Sequence, residues 1–197
     1  TGGTLAKGNS EGVTVVDGAS LNGGDGLIEG LLIGSGGGAG YGNVISGNNG
    51  DGIHVGTTGS AISGDVKIQG NYIGVTSAGA ALGNTDEGIF GEYSPTSVDW
   101  TIGTDGNGVT DSTEGNYIGS NTQRGIYIFE GDDITIAGNV IGENASGADR
   151  GNGGAGIIIG SVSTGVPNNV TIGTIGADDT SGYERNVVVN NDGGGIN

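Results

Sequence analysis

Cysteine and methionine are absent from this chain of 197 residues, proline occurs twice, tryptophan once, and only five residues are Lys or Arg. Each scarcity removes a class of protein. Without cysteine there is no disulfide scaffold, and the redox compartment stays open. With two prolines, and glycines that do not fall at every third position, a collagen triple helix is excluded. Five basic residues against 22 acidic ones leave a formal charge of −17, so nucleic acid and anionic membrane surfaces are poor partners. No apolar run approaches the roughly 20 residues that span a bilayer, and no membrane insertion is expected. The chain opens at Thr1 rather than methionine, which suggests a processed chain or an excised piece. Glycine, by contrast, is in excess at 49 residues, yet a hydrophobic share of 32% is more than a solvated tail needs.

Internal repetition organises that composition. The phrase Gly42-Asn-Val-Ile-Ser-Gly-Asn48 returns as Gly115-Asn-Tyr-Ile-Gly-Ser-Asn121 and as Arg185-Asn-Val-Val-Val-Asn-Asn191. Val66-Lys-Ile-Gln-Gly-Asn-Tyr-Ile-Gly74 returns as Ile134-Thr-Ile-Ala-Gly-Asn-Val-Ile-Gly142. Leu31-Leu-Ile-Gly34 returns as Trp100-Thr-Ile-Gly103 and Val170-Thr-Ile-Gly173. All three phrases share a period of about 70 residues, the mark of tandem duplication. Each unit divides again into two turns with one grammar: an Asn-x-Ile strand, a Gly-Ile strand, and a strand ending in Ile. These segments are short, β-branched and alternating, and Gly, Asn and Asp bound them. No useful stretch has helical periodicity.

The fold class expected is therefore all-β: a right-handed parallel β-helix with three strands per turn and about six turns, two of them incomplete. One turn cannot bury its own apolar face, but stacked turns make a continuous core. The inward columns are expected to be Ile45, Ile73, Ile118, Ile141 and Val188 on one wall. Ile53, Ile89, Ile126, Ile157 and Ile196 would line the second, and Ile33, Ile68, Ile102, Ile136 and Ile172 the third. At about 4.8 Å between strands the rod would be on the order of 25–30 Å long. Asn43, Asn71, Asn116, Asn139 and Asn186 recur at one corner, and Asn48, Asn84, Asn121, Asn152 and Asn191 at the next. Amides at tight corners bond backbone groups of their own and neighbouring turns, so these are read as structural ladders.

The phrase at 42–53, Gly-Asn-Val-Ile-Ser-Gly-Asn-Asn-Gly-Asp-Gly-Ile, and that at 68–74, Ile-Gln-Gly-Asn-Tyr-Ile-Gly, carry a resemblance, joined by Ala81-Leu-Gly-Asn84. The chain resembles the right-handed parallel β-helix repeats of bacterial secreted and surface proteins over nearly its whole length. That wider class includes pectate lyases, polygalacturonases, tailspikes and adhesins, so the resemblance implies the superfold and an extracellular or cell-surface location, not an activity. It also implies the handedness, which parallel crossovers favour in general. The whole chain, 1–197, is expected to be one β-helix domain. With no helix or polar cap at either end, it reads as a segment of a longer array, or as a subunit that stacks on its own kind.

The search for chemistry nominates little. A polysaccharide hydrolase of this superfold needs convergent carboxylates with histidine and basic residues, and a lyase needs a basic cluster beside carboxylate-held calcium. The single histidine, His54, sits at an outward position, and Asp132-Asp133 follow Glu130 in another turn, with Arg124 and Arg150 the basic residues expected near them. No catalytic residue is assigned and no cofactor is required. Calcium is the one ion considered, through Asp105, Asp111 and Glu114 in one long connection and Asp178, Asp179 and Glu184 in the equivalent one. Neither the EF-hand spacing nor tandem calcium nonapeptides is present. Asn144-Ala-Ser146 and Asn169-Val-Thr171 match the glycosylation pattern. Outward apolar positions form two contact stripes, Val44, Tyr72, Tyr117 and Val140 on one wall and Phe90, Tyr127 and Ile158 on the next. The chain's own loops, a neighbouring rod, or a polysaccharide stacking on the aromatics would cover them. The expected role is a non-catalytic stalk, adhesin shaft or filament building block that continues or self-associates. A polysaccharide-active lyase or hydrolase fragment and a carbohydrate-binding module are the alternatives.

Overall fold

The computed structural model describes residues 9–15, 30–34, 42–56, 64–92, 98–160, 167–173 and 182–197. Short alternating segments bounded by glycine and asparagine become strands. In chain order these are β1 (Val13–Val15), β2 (Leu31–Gly34) and β3 (Val44–Ile45), then β4 (Ile53–Val55), β5 (Gly64–Gln69) and β6 (Tyr72–Ile73). Next come β7 (Ile89–Gly91), β8 (Val98–Gly103), the four-residue helix α1 (Asp111–Glu114) and β9 (Tyr117–Ile118). β10 (Ile126–Ile128), β11 (Ile134–Ala137), β12 (Val140–Ile141), β13 (Ile157–Ile159), β14 (Val170–Ile172) and β15 (Val187–Val188) complete the order. Every third strand pairs in parallel, giving three five-stranded sheets: β1-β4-β7-β10-β13, β2-β5-β8-β11-β14 and β3-β6-β9-β12-β15. This is a right-handed parallel β-helix with three strands per turn. Among the described residues no helix is long and apolar enough to cross a membrane.

The register stacks like on like. Ile45, Ile73, Ile118, Ile141 and Val188 pair in sequence along one wall. Ile53, Ile89, Ile126 and Ile157 do so on the second, and a bridge to Ile196 extends them. Ile33, Ile68, Ile102, Ile136 and Ile172 line the third. Ile53, Ile68, Ile73, Ile89, Ile102, Ile118, Ile126, Ile136, Ile141 and Ile157 have no solvent exposure. Burial of each such side chain stabilises the fold by about 1.5–3 kcal/mol. Trp100 breaks the aliphatic rule. It lies in an inward column between Val66 and Ile134, buried, with its indole N–H donating to the Glu130 carbonyl at 3.2 Å. Space for it comes from Gly91, where the paired positions on neighbouring strands carry Val55 and Ile128. A β-carbon on Gly91 would lie 2.8 Å from the indole.

Both asparagine columns are ladders, and each rung is made the same way. At the first corner the Asn71 N–H and side-chain Nδ2 both donate to Asn116 Oδ1, at 2.9 and 3.0 Å. Asn116 repeats this onto Asn139 and Asn139 onto Asn186, while Asn43 donates to Asn71. The remaining amide hydrogens go back to strand-end carbonyls: Asn71 to Ile33, Asn116 to Ile68, Asn139 to Ile102 and Asn186 to Ile136. At the second corner Asn48, Asn84, Asn121, Asn152 and Asn191 form an equivalent chain. Asparagine suits this because one side chain offers both a two-fold acceptor and two donors. Polar atoms that the sharp bends remove from the sheets are satisfied turn after turn.

Candidate functional surfaces

The outward positions on the strands form columns as regular in register as the inward ones but varied in chemistry. On the first wall Val44, Tyr72, Tyr117, Val140 and Val187 stand in one column. The Tyr72 and Tyr117 rings stack on each other, centroids 5.5 Å apart and planes 6° from parallel. Burial, with the neighbouring Tyr72 and Glu143, pushes the Tyr117 hydroxyl above its ordinary pKa. Two small hairpins, closed by antiparallel bridges between Val75 and Ala81 and between Glu143 and Asp149, stand beside the pair. They are one motif repeated a super-repeat later. Asn144 Oδ1 accepts the Ser146 and Ala148 N–H groups within its own hairpin, and its Nδ2 donates to the Gly79 carbonyl of the other at 2.8 Å. Arg150 Nε donates to the same carbonyl at 2.8 Å. A notch of about 230 Å³ remains between hairpins and rings, lined by Tyr72, Val75, Gly79, Tyr117, Asn144 and Ser146.

On the second wall Thr14, His54, Phe90, Tyr127 and Ile158 stand in register. His54 lies between two carboxylates, with Nδ1 3.0 Å from Asp51 Oδ2 and Nε2 3.1 Å from Glu92 Oε2. The bond to Asp51, aided by Glu92 and opposed by burial, raises its pKa to about 9. At neutral pH it is an imidazolium with both nitrogens engaged, so it has no lone pair with which to act as a base. Its ring meets the Phe90 ring edge-on at 4.8 Å; Phe90, Tyr127 and Phe129 pack together, and the Arg124 guanidinium lies 4.4 Å from the Tyr127 centroid.

Beside this column runs a charged one that the sequence reading missed: Glu11, Asp51, Glu87 and Arg124, each immediately before the glycine that opens a Gly-Ile or Gly-Val strand. Glu11 Oε2 accepts the Asp51 N–H at 2.8 Å, and Asp51 Oδ1 accepts the Glu87 N–H at 3.0 Å. Arg124 Nη1 closes the series on Glu87 Oε1 at 2.5 Å. Burial, then the adjacent Asp86 and Asp51, outweigh the guanidinium and raise the Glu87 pKa to about 7. The column was detectable from the repeat, since the same alignment that superposes the Gly-Ile strands superposes these residues. Arg124 pairs with Glu87 and Arg150 bonds the Gly79 carbonyl, while in the next corner the side chains of Asn168 and Asn169 donate to Asp132 and Asp133. Asp99 sits beside them, its pKa raised by burial and by Asp133 and Asp65.

In the connection from β8 to β9, Asp105, Asp111 and Glu114 do come together, each offering an oxygen within 4.8 Å of the others. Glu184 occupies the corner equivalent to Glu114, and both are buried; their carbonyls accept the N–H groups of Gly138 and Gly70 respectively. Asp178 and Asp179 lie outside the described residues. Of the glycosylation candidates, Asn144 is 8% exposed and its amide nitrogen is committed to Gly79, whereas Asn169 is exposed and donates to Asp133.

Compared with models of known families, with curated proteins and with solved structures, the chain finds no match.

Proposed function

We propose that this chain is a non-catalytic structural β-solenoid of an extracellular or cell-surface protein, serving as a stiff shaft or filament element. The observation that carries this reading is the pair of asparagine ladders, which tie each described turn to the next by the same side-chain bonds at two corners. Bending or shearing one turn against another would have to break ladder bonds and sheet bonds together. The outward chemistry supports the same reading: His54 is held between Asp51 and Glu92, and Arg124 pairs with Glu87, so these charges are spent along the rod rather than on an open cleft. The resemblance to repeats of secreted and surface proteins adds the location, and excess acid keeps the rod apart from anionic surfaces.

The test is a turnover assay on acidic and neutral polysaccharides paired with force spectroscopy on the chain held between handles. The proposal expects no product and a high, stepwise unfolding force. Product formation by the parent chain that disappears in Glu87→Gln would overturn it in favour of a polysaccharide-active enzyme. A second reading, carbohydrate binding, is favoured by the notch between the two hairpins. Glycan-array binding lost in a Tyr72→Ala/Tyr117→Ala variant would support it. The ring faces turned toward each other are already occupied, which leaves hydroxyls and hairpin backbone as the recognising groups.

A further inference from the structure

We infer that the connection between β8 and β9 is a calcium site of degenerate EF-hand type, held by Asp105, Asn107, the Val109 carbonyl, Asp111 and Glu114. The inference is independent of the mechanical role of the rod. In the twelve-residue calcium loop, side chains at positions 1, 3 and 5, the carbonyl at 7, position 9 and a bidentate Glu at 12 surround the ion, with Gly at 6 for the turn. Counted from Gly103, the chain supplies Asp105 at 3, Asn107 at 5, Gly108 at 6, Val109 at 7, Asp111 at 9 and Glu114 at 12. The full pattern fails at position 1 alone.

A second observation points to the same place. Among the described residues, Asp111 Oδ1 is the one buried side-chain oxygen or nitrogen without a hydrogen-bond partner. Its companion Oδ2 accepts only the Gly108 N–H at 3.2 Å. Glu114 is 2% exposed; its Oε1 accepts the Thr110 hydroxyl at 3.0 Å and its Oε2 the Asp105 N–H at 3.2 Å. Three carboxylates thus share one small space with a single ammonium, Lys67 Nζ, at 3.3 Å from Asp105 Oδ2. A buried, unpaired carboxylate oxygen is costly, and a divalent cation is the partner that relieves it without needing a donor hydrogen. All the ligands are oxygens, which selects a hard cation. The irregular shell with a missing ligand suits Ca2+ over Mg2+, which demands a near-ideal octahedron and sheds water reluctantly.

The fold also explains the missing ligand. Gly103 ends β8 at φ +94°, and a β-carbon there would lie 1.9 Å from the Ala137 carbonyl of the next turn. Stacking of β8 on β11 therefore excludes aspartate from position 1, so the site gives up one charged ligand to keep the solenoid register. Affinity should fall in the weak range of extracellular modules, with Kd about 10⁻⁴–10⁻³ M.

Isothermal titration of the whole, chelator-stripped chain with CaCl2, repeated with MgCl2, tests this. The expected result is one saturable Ca2+ site in that range, Mg2+ at least tenfold weaker, and amide NMR shifts concentrated at 105–114. Asp111→Asn, which keeps size and exposure, should weaken Ca2+ at least tenfold; Glu114→Gln should do the same, and if its burial prevents folding Asp111→Asn is the deciding variant. Absence of saturation at 10-fold above that range, or binding unchanged in Asp111→Asn, would overturn the assignment, the latter by moving the ion to another acidic group such as the Glu11–Asp51–Glu87 column.

Discussion

On the second wall the inward column reads Ile53, Ile89, Ile126, Ile157, while the outward column, one residue later in the chain, reads His54, Phe90, Tyr127, Ile158. Both have the same backbone register, yet one repeats a single residue and the other changes at every turn. The inward position meets its own kind above and below and two other walls across a narrow core, so a change of shape leaves a void or a clash. The outward position meets solvent on one side, and many side chains satisfy it. The exception inside the core sharpens the lesson. Where Trp100 replaces an aliphatic residue, Gly91 replaces one on another wall, so volume is conserved across the core even though neither column conserves identity.

The comparison can be broken or sharpened by substitution. The greatest loss is expected from Asn116→Ala, which strips the Asn71 N–H and Nδ2 and the Ile68 carbonyl of their partner in a buried corner. At about 1–3 kcal/mol for each buried group left unpaired, urea unfolding should register roughly 3 kcal/mol or more. Ile126→Ala comes next, costing about 2–5 kcal/mol by lost burial and an incompletely closed cavity.

A smaller, pH-dependent effect belongs to the outward column. The His54 pKa is raised from 6.5 to about 9, so its stabilising contribution is complete below about 6.5 and is lost as pH rises through about 9. Glu87, raised from 4.5 to about 7, has the same sign in a lower window: its contribution is complete below about 4.5 and lost as pH rises through about 7. The urea midpoint should therefore fall between pH 7 and 9.5 in the parent chain and stay flatter in His54→Phe, which copies the Phe90 above it. A midpoint that falls equally in both would assign the titration elsewhere. Least of all, Ile158→Thr, which restores the residue type of Thr14 in the same column, should change stability by within about 0.5 kcal/mol. A larger loss would mean that the outward position is packed as tightly as the inward one.

Legibility in the sequence followed the same division. The isoleucine and asparagine columns were readable because each turn imposes the same geometry on them, and the period of about 70 residues exposed them as repeats. The Glu11–Asp51–Glu87–Arg124 column occupies an equally regular position, but its residues differ in sign and length, so no repeated letter marked it. The acidic cluster proposed to hold calcium was visible as Asp105, Asp111 and Glu114, while Gly103 at the first position hid the rest of the loop pattern. The partners of Arg124 and Arg150 were not legible because long side chains reach along the rod to whichever turn offers an acceptor, a choice not written in their spacing.

By itself, then, the sequence determined the strands, their parallel stacking and the ladders, because a short unit that cannot bury its own apolar face has one way to do so, and repetition announces it. Tertiary structure alone decided which unlike side chains meet: His54 with Glu92, Trp100 over Gly91, and Arg124 with Glu87. Those contacts join residues in different walls, turns or loop positions, where distance depends on how the turns are wound rather than on any period in the chain.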